Sequence, residues 1–379
     1  MDEVMAGQAV AVRATAGLVQ RLVQCPTAFD RDEAYPVDAV AGQHAAGLCA
    51  ASLPTRLGGL GLNGAARRLE LLGAFKHSGR GDLVVSRRYE GPVNALTLQR
   101  VCDFGNAAQQ GAAARATAAG LWFGVWHAQG ADGAILAAQP GGAGWRLHGS
   151  KLNASKSGHV DRPPVTAQHA DGGWQMVITE AGSAAIHIDR SFWPPLGMRA
   201  SAIVQLRFYA LPVRQAALAG AAGDDDRETA FSAGAVRFAA VPLGGTAAVL
   251  DETHRFLRSV GRADDPYQRI RVGEMAMWVE SGNLRIDRAA RHGADCPCAH
   301  GMRNAIEQTG LRVPQRAARR VGARGLRRRL LLERVHRDLT HCLRQSAPDT
   351  VPAAAGTHVL ATGAHVLASA APSHQLWGR

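Results

Sequence analysis

The chain has 379 residues, 46% of them hydrophobic and 20% charged, enough to enclose a large core in two or three packed units. Its 43 Lys plus Arg outnumber 31 Asp plus Glu for a formal charge of +12, which suits nucleic acid, an anionic membrane or a phosphate-bearing ligand without choosing among them. Six cysteines are too sparse for a disulfide scaffold, so a reducing cytoplasm is the expected compartment.

The opening Met1-Asp2-Glu3 carries no secretory pattern, and no uncharged run reaches the roughly 20 apolar residues that span a bilayer. From Val10 onward, long runs of Ala, Leu, Arg and Gln broken at Pro26, Pro36, Pro54 and Gly58-Gly59 predict a helical unit over residues 1–120. Inside it, Gly59 to Gly64 satisfies G-x-G-x-x-G, and Asp82 lies at a distance suited to a ribose partner. A dinucleotide fingerprint follows a buried strand, whereas Leu48 to Leu53 reads as a helix end broken by Pro54. The glycines are therefore expected to form a structural turn.

Over residues 121–222 the period changes. Alternating apolar and polar positions, as in Trp145 to Gly158 and Ile203 to Phe208, are separated by turn clusters at Gly141 to Gly144 and Asp171 to Gly173. This predicts a compact β unit. Gly220 to Asp226 reads as a small-residue linker, and helical periodicity returns over residues 223–350, with Val272, Met275, Val279 and Ile286 as a core-facing stripe. Strands segregated between helical halves disfavour an open parallel α/β sheet and set the class as α+β. Residues 351–379 form a tail of small residues, expected to pack loosely.

Two clusters in the C-terminal half invite specific readings. Cys296-Pro297-Cys298 with His300 suggests zinc, but structural zinc takes four ligands and no second pair is visible, so a surface loop between two helices is expected. Arg312 to Arg329 holds eight arginines without aromatic residues for base stacking, which disfavours nucleic acid. A solvated helix face, or arginines turned to a pyrophosphate or a partner subunit, is the expected role.

An ordered series of motifs resembles the acyl-CoA dehydrogenase flavoproteins over roughly residues 30 to 350. Asp32 to Pro54 is similar to the family's first helix and loop, and Pro54, Gly58, Gly59 and Gly61 match a Pro-x-x-x-Gly-Gly-x-Gly loop. Leu121 to Gln129 takes the place of the first flavin-contacting strand, and Lys151 to Gly158 that of a Lys-x-Trp-Ile-Thr-Asn strand. Leu196 to Ser201 matches a Leu-Gly-x-Arg-x-(Ser/Thr) turn. Val321 to Gly325 and Glu333 to Asp338 match a Gly-Gly-x-Gly element and a Glu-(Arg/Lys)-x-x-Arg-Asp element. The resemblance implies an N-terminal helical domain, a middle β-barrel domain and a C-terminal helical bundle, with FAD beside the barrel and an acyl-CoA or related acyl thioester as substrate. It further implies a homodimer or homotetramer sharing FAD across an interface; with no apolar run long enough to span a bilayer, no membrane partner is expected.

By the same resemblance, flavin would be contacted by the Ser155 hydroxyl and by main-chain groups around Trp126, His127 and Ala128. Asn153 stands where the family carries an aromatic residue against the isoalloxazine, and Ala128-Gln129 stands where Thr-Glu is usual. Arg258 or Arg262 would meet the pyrophosphate, with Gly322 and Gly325 letting backbone approach it. The family's catalytic Glu has two known placements, which fall on Ser346 and near Gly234 here, and neither is a carboxylate. Asp349 is the favoured substitute base, ahead of Glu333 and His341. A positioned base contributes about 10² to 10⁴ in rate. Three readings follow: α,β-dehydrogenation of an acyl thioester, a flavin monooxygenase of the same fold that needs no Cα base, or a catalytically degenerate binding subunit.

Overall fold

The structure, a computed structural model, describes residues 30, 34–90, 95–142, 144–155, 159–169, 172–192, 194–224, 230–292, 296–328, 330–344 and 350–363. Among the described residues five helices come before the sheet: α1 (Val37–Ala45), α2 (Arg68–Gly81), α3 (Leu83–Glu90), α4 (Ala95–Phe104) and α5 (Ala107–Ala118). α5 starts in a capping box, in which the Asn106 side chain accepts from the Gln109 N–H and the Gln109 side chain accepts from the Asn106 N–H. Between α1 and α2, Gly58 and Gly61 adopt φ of 79° and 64° in a turn flanked by short 3-10 segments. Among the described residues no strand precedes this turn, and Leu48 to Ala50 just before it is a short 3-10 segment, so G-x-G-x-x-G is structural here. Asp82 is likewise no ribose ligand: its carboxylate accepts from the Val85 N–H and pairs with Arg334 at 2.8 Å.

Seven strands follow: β1 (Gln129–Ala138), β2 (Trp145–Ala154), β3 (Pro164–His169), β4 (Trp174–Ile178), β5 (Ile186–Asp189), β6 (Val204–Val213) and β7 (Leu218–Ala219). They form one sheet in the order β5-β6-β2-β1-β3-β4-β7, antiparallel except for β1 beside β3. The expected barrel is not closed. The sheet ends on the four-residue β5 and the two-residue β7, and strands so short leave little ladder with which to join the two edges. One face is apolar and buries Leu136, Leu147, Val165, Leu206 and Phe208 in a core of its own.

The remaining helices are α6 (Ala230–Ser259), α7 (Pro266–His292), α8 (Cys296–Gly325), α9 (Leu331–Cys342) and α10 (Thr350–Thr362). α6 is central, packing against α2, α7, α8 and α9. Its crossing with α2 is made close by glycine: a Cβ on Gly79 would collide with the Val241 carbonyl, and one on Gly244 with the Lys76 carbonyl. On α7, Met275, Val279 and Ile286 of the predicted stripe are buried, while Val272 is half-buried. One expectation is corrected here: Cys296 opens helix α8 where a surface loop was expected. The start of the small-residue tail is helix α10 beside α8, since runs of alanine carry the highest helix propensity, and its described side chains are exposed or half-buried.

Candidate functional site

The segment before β1 is extended without being a strand, contrary to the sequence expectation for Leu121 to Gln129. Phe123 and Trp126 each make a single parallel bridge, to Arg162 and Val165, and the ladder starts only at Gln129. The reason lies in where its backbone groups bond. Trp122 N–H donates to the Asp161 carboxylate at 2.8 Å, the Gly124 carbonyl accepts from the Thr97 hydroxyl at 2.7 Å, and Trp126 N–H donates to the Pro164 carbonyl at 3.0 Å. Two of these bonds go to side chains and the third reaches only the first residue of β3, so no continuous ladder forms along the segment.

This segment is stitched to the end of β2. The buried Trp126 donates its indole N–H to the Ser155 carbonyl at 3.3 Å, and Leu152 N–H donates to the Ala128 carbonyl at 3.0 Å. Lys151, buried in β2, donates to the His127 carbonyl at 3.0 Å and to the Thr166 hydroxyl at 3.2 Å, with its ammonium 5.9 Å from the Trp174 ring centre. The structure thus brings Trp126, His127 and Ala128 together with Asn153 and Ser155. Ala128 and Asn153 are exposed, His127 and Ser155 half-buried, and the Ser155 hydroxyl makes only a long bond, 3.5 Å, to the Asn153 carbonyl. Asn153 takes a left-handed φ of 53° just before β2 ends. Gln129 turns inward instead: its side-chain oxygen accepts from Ala134 N–H at 2.9 Å and closes the irregularity between Gln129 and Ala134 in β1. The motif that contains Lys151 gives that side chain no role. Its signal in the sequence was a lysine at an inward-facing position of an alternating strand.

The other expected cofactor residues lie on different elements. Arg258 is in the last turn of α6, and Arg262 pairs with Asp265 at 2.8 Å just beyond it. Neither bonds to the Trp126–Ser155 group among the described residues. Gly322 interrupts α8 at φ 59° and ψ −166°, with open space where a Cβ would stand, while a Cβ on Gly325 would strike the Val321 side chain. In the arginine-rich end of α8, Arg316 pairs with Glu274 of α7 at 3.1 Å and stands 5.8 Å from the Trp278 ring centre, which joins the two helices.

Asp349 and Ser346 lie outside the described residues. Gly234 is on α6, where it presents no side chain. Glu333 is held by Arg337, one turn along α9. His341 is half-buried, and burial followed by the nearby Arg87 charge lowers its pKa, keeping the imidazole neutral. Among the described residues no three His, Cys, Asp or Glu side chains gather as a metal ion would require.

Two of the expected motifs meet each other. Met198 N–H, in the turn after Leu196-Gly197, donates to the buried Asp338 carboxylate at 2.5 Å, and Arg337 donates to the Leu196 carbonyl at 2.9 Å. A Cβ on Gly197 would collide with the Arg337 carbonyl, so only glycine lets the turn settle on α9. Arg337 also pairs with Asp30 at 2.8 Å, and the buried Arg334 pairs with Asp82. Burial pushes the Asp338 carboxyl up to about 7, against the pull of Arg334 and the Met198 N–H. This junction fixes the sheet to the helical bundle.

No model of a known protein family matches the chain, and no curated protein matches it in sequence. Solved structures do match. Butyryl-CoA dehydrogenase from Megasphaera elsdenii superposes with a TM-score of 0.85 at 17% identity, covering 93% of this chain and 98% of that one. Dibenzothiophene monooxygenase from Paenibacillus sp. A11-2 gives 0.80 at 17% identity over 93% and 97%. Nitrososynthase from Micromonospora carbonacea var. africana gives 0.79 at 20% identity over 94% and 97%. The chain has the acyl-CoA dehydrogenase fold.

Proposed function

We propose that this protein is a flavin-dependent oxidoreductase whose isoalloxazine ring rests on the shelf made by residues 126–128 and 153–155. The observation that carries this reading is the stitching of the two segments, which holds the Ser155 hydroxyl at an accessible edge above a buried Trp126. The residues fit such a group. Ala128 and Ser155 are small enough to admit a flat ring, the Ser155 hydroxyl is weakly engaged and free to redirect, and Lys151 holds the His127 carbonyl inward. When bound, the flavin supplies the redox chemistry. The chain would bind and orient it. FAD is the expected form; a solved neighbour, the monooxygenase of Paenibacillus sp. A11-2, holds FMN.

Arg258, Arg262, Gly322 and Gly325 would serve a pyrophosphate from a second copy of the chain. In support, Ile270, Met277 and Leu284 recur at seven-residue spacing along α7 and are 63%, 64% and 61% exposed, an apolar stripe that another subunit would cover.

The reaction divides on the base. Dehydrogenation of an acyl thioester requires a carboxylate at Cα, for which Asp349 is the proposed residue. Gly234 favours a second reading, an oxygen-dependent monooxygenation that needs no such base, since that position on α6 cannot supply a carboxylate. Anaerobic mixing of the flavin-loaded protein with an acyl-CoA panel, beside oxygen uptake by the reduced protein, separates them. Anaerobic bleaching that Asp349→Asn abolishes supports dehydrogenation; oxygen uptake coupled to substrate, without bleaching, supports monooxygenation. A protein that binds neither FAD nor FMN sinks both.

A further inference from the structure

A cavity of about 610 Å³ lies between α5, the Thr179–Ser183 loop and the end of β6, with Phe123 of the segment before β1 in its wall. Its size falls within the roughly 300–1,000 Å³ of small-molecule sites. None of its lining residues belongs to the shelf at 126–128 and 153–155. Its walls are apolar: Ala112 and Ala113 from α5, Phe123, Ile178, Leu211 and Ala216.

The polar groups among the walls are mostly engaged elsewhere. Thr179 donates its hydroxyl to the Pro163 carbonyl at 2.7 Å, and the Gln109 amide donates to the carbonyls of Ala216 and Leu218 at 2.9 and 2.8 Å. Those last two bonds also tie α5 to the turn after β6, so the walls are held at a fixed separation.

Charge gathers at three lining positions. Arg162 and Glu180 stand 3.7 Å apart, Arg162 half-buried and Glu180 exposed. Arg214 is exposed too, and among the described residues it has no carboxylate partner. The surplus is one positive charge beside an apolar chamber.

From this pairing we infer that the cavity is a second ligand site, taking a molecule with an apolar body and a single carboxylate of the size of a medium-chain fatty acid. The body fills the chamber against Phe123 and Ile178, and the carboxylate meets the Arg214 guanidinium. The site does not depend on the flavin reading, and the test runs with or without bound flavin.

Isothermal titration of the full chain with decanoate, decanol and decyltrimethylammonium, each below its micellar concentration, tests it. Decanoate is expected to bind one to one and most tightly. Arg214→Ala should weaken decanoate roughly three- to fivefold, as for an exposed ion pair, and leave decanol unchanged. Ala216→Trp, at an exposed position that tolerates the larger side chain, should abolish binding of both. A photoreactive diazirine analogue of decanoate should label the wild-type protein within residues 107–118 or 211–217. Equal binding of decanoate and decanol, or of decanoate to Arg214→Ala and wild type, overturns the carboxylate assignment. Absence of binding, binding that survives Ala216→Trp, or labelling elsewhere overturns the site.

Discussion

Asp338 is a buried carboxylate at the junction of the sheet and the helical bundle, and replacing it with asparagine should change how stability depends on pH. Asparagine keeps an acceptor for the Met198 N–H and removes the titration. In the native protein, burial raises the carboxyl from its ordinary 3.8 to about 7, so the folded state binds the proton more tightly than the unfolded chain does. The sign follows from that: this contribution to stability is fully present below 3.8 and is lost as pH rises through about 7. At about 1.4 kcal/mol per pH unit, the full gap amounts to about 4 kcal/mol. The part lost between pH 5.5 and 8 is about 2 kcal/mol. Urea unfolding of the native protein and of Asp338→Asn at half-unit steps across that range measures it. The difference in unfolding free energy should move by about 2 kcal/mol in favour of the variant as pH rises. A difference constant from pH 5.5 to 8 would refute the reasoning, because it would mean that Asp338 ionises in the fold as easily as in the unfolded chain.

Other perturbations test neighbouring parts. Arg334→Leu strands Asp82 and Asp338 in the interior and should cost about 3–5 kcal/mol, read by the same unfolding curves at pH 7. Gly197→Ala forces the turn away from the Arg337 carbonyl and should cost about 1–3 kcal/mol, with near-ultraviolet circular dichroism reporting looser packing of the sheet on α9. Burial, with Asp103 adding to it, pushes the Cys102 thiol up to about 11, so at pH 8 it should react with iodoacetamide far more slowly than a free cysteine; labelling at the rate of an exposed thiol contradicts its placement.

Much of this architecture was legible because particular residues have few substitutes. Gly197 and Asp338 stand 141 positions apart in sequence, and each makes sense only with the other: a glycine for close approach and a carboxylate for the N–H beside it. Their order within the motif series was readable before their contact was. The segregation of strands between helical halves was readable from a change of period, which is local. What was not readable depends on partners distant in the chain. The order β5-β6-β2-β1-β3-β4-β7 is set by long-range pairing, so period alone could not show whether the sheet closes. The stretch Leu121 to Ala128 looks like a strand, because nothing in it reveals that Asp161 and Thr97 claim its backbone.

The candidate site was legible in the same uneven way. Trp126, His127, Ala128, Asn153 and Ser155 lie together because two segments, each recognisable alone, pack side by side. The role of Lys151 could not be seen, because a buried lysine needs known acceptors before it means anything, and the His127 carbonyl and Thr166 hydroxyl come from separate strands or segments. Cys296 to His300 read as a loop because proline and paired cysteines suggest a turn, yet Pro297 sits in the first turn of α8, where proline is tolerated.

Titration of the purified protein with FAD and with FMN, followed by visible absorption and by quenching of flavin fluorescence, tests the shelf most directly. Saturable binding that Ser155→Ala weakens and that Trp126→Ala, which removes the supporting indole, weakens further is the predicted result. A protein that is colourless as purified and leaves both flavins unperturbed, or one that binds them equally well in both variants, would contradict it.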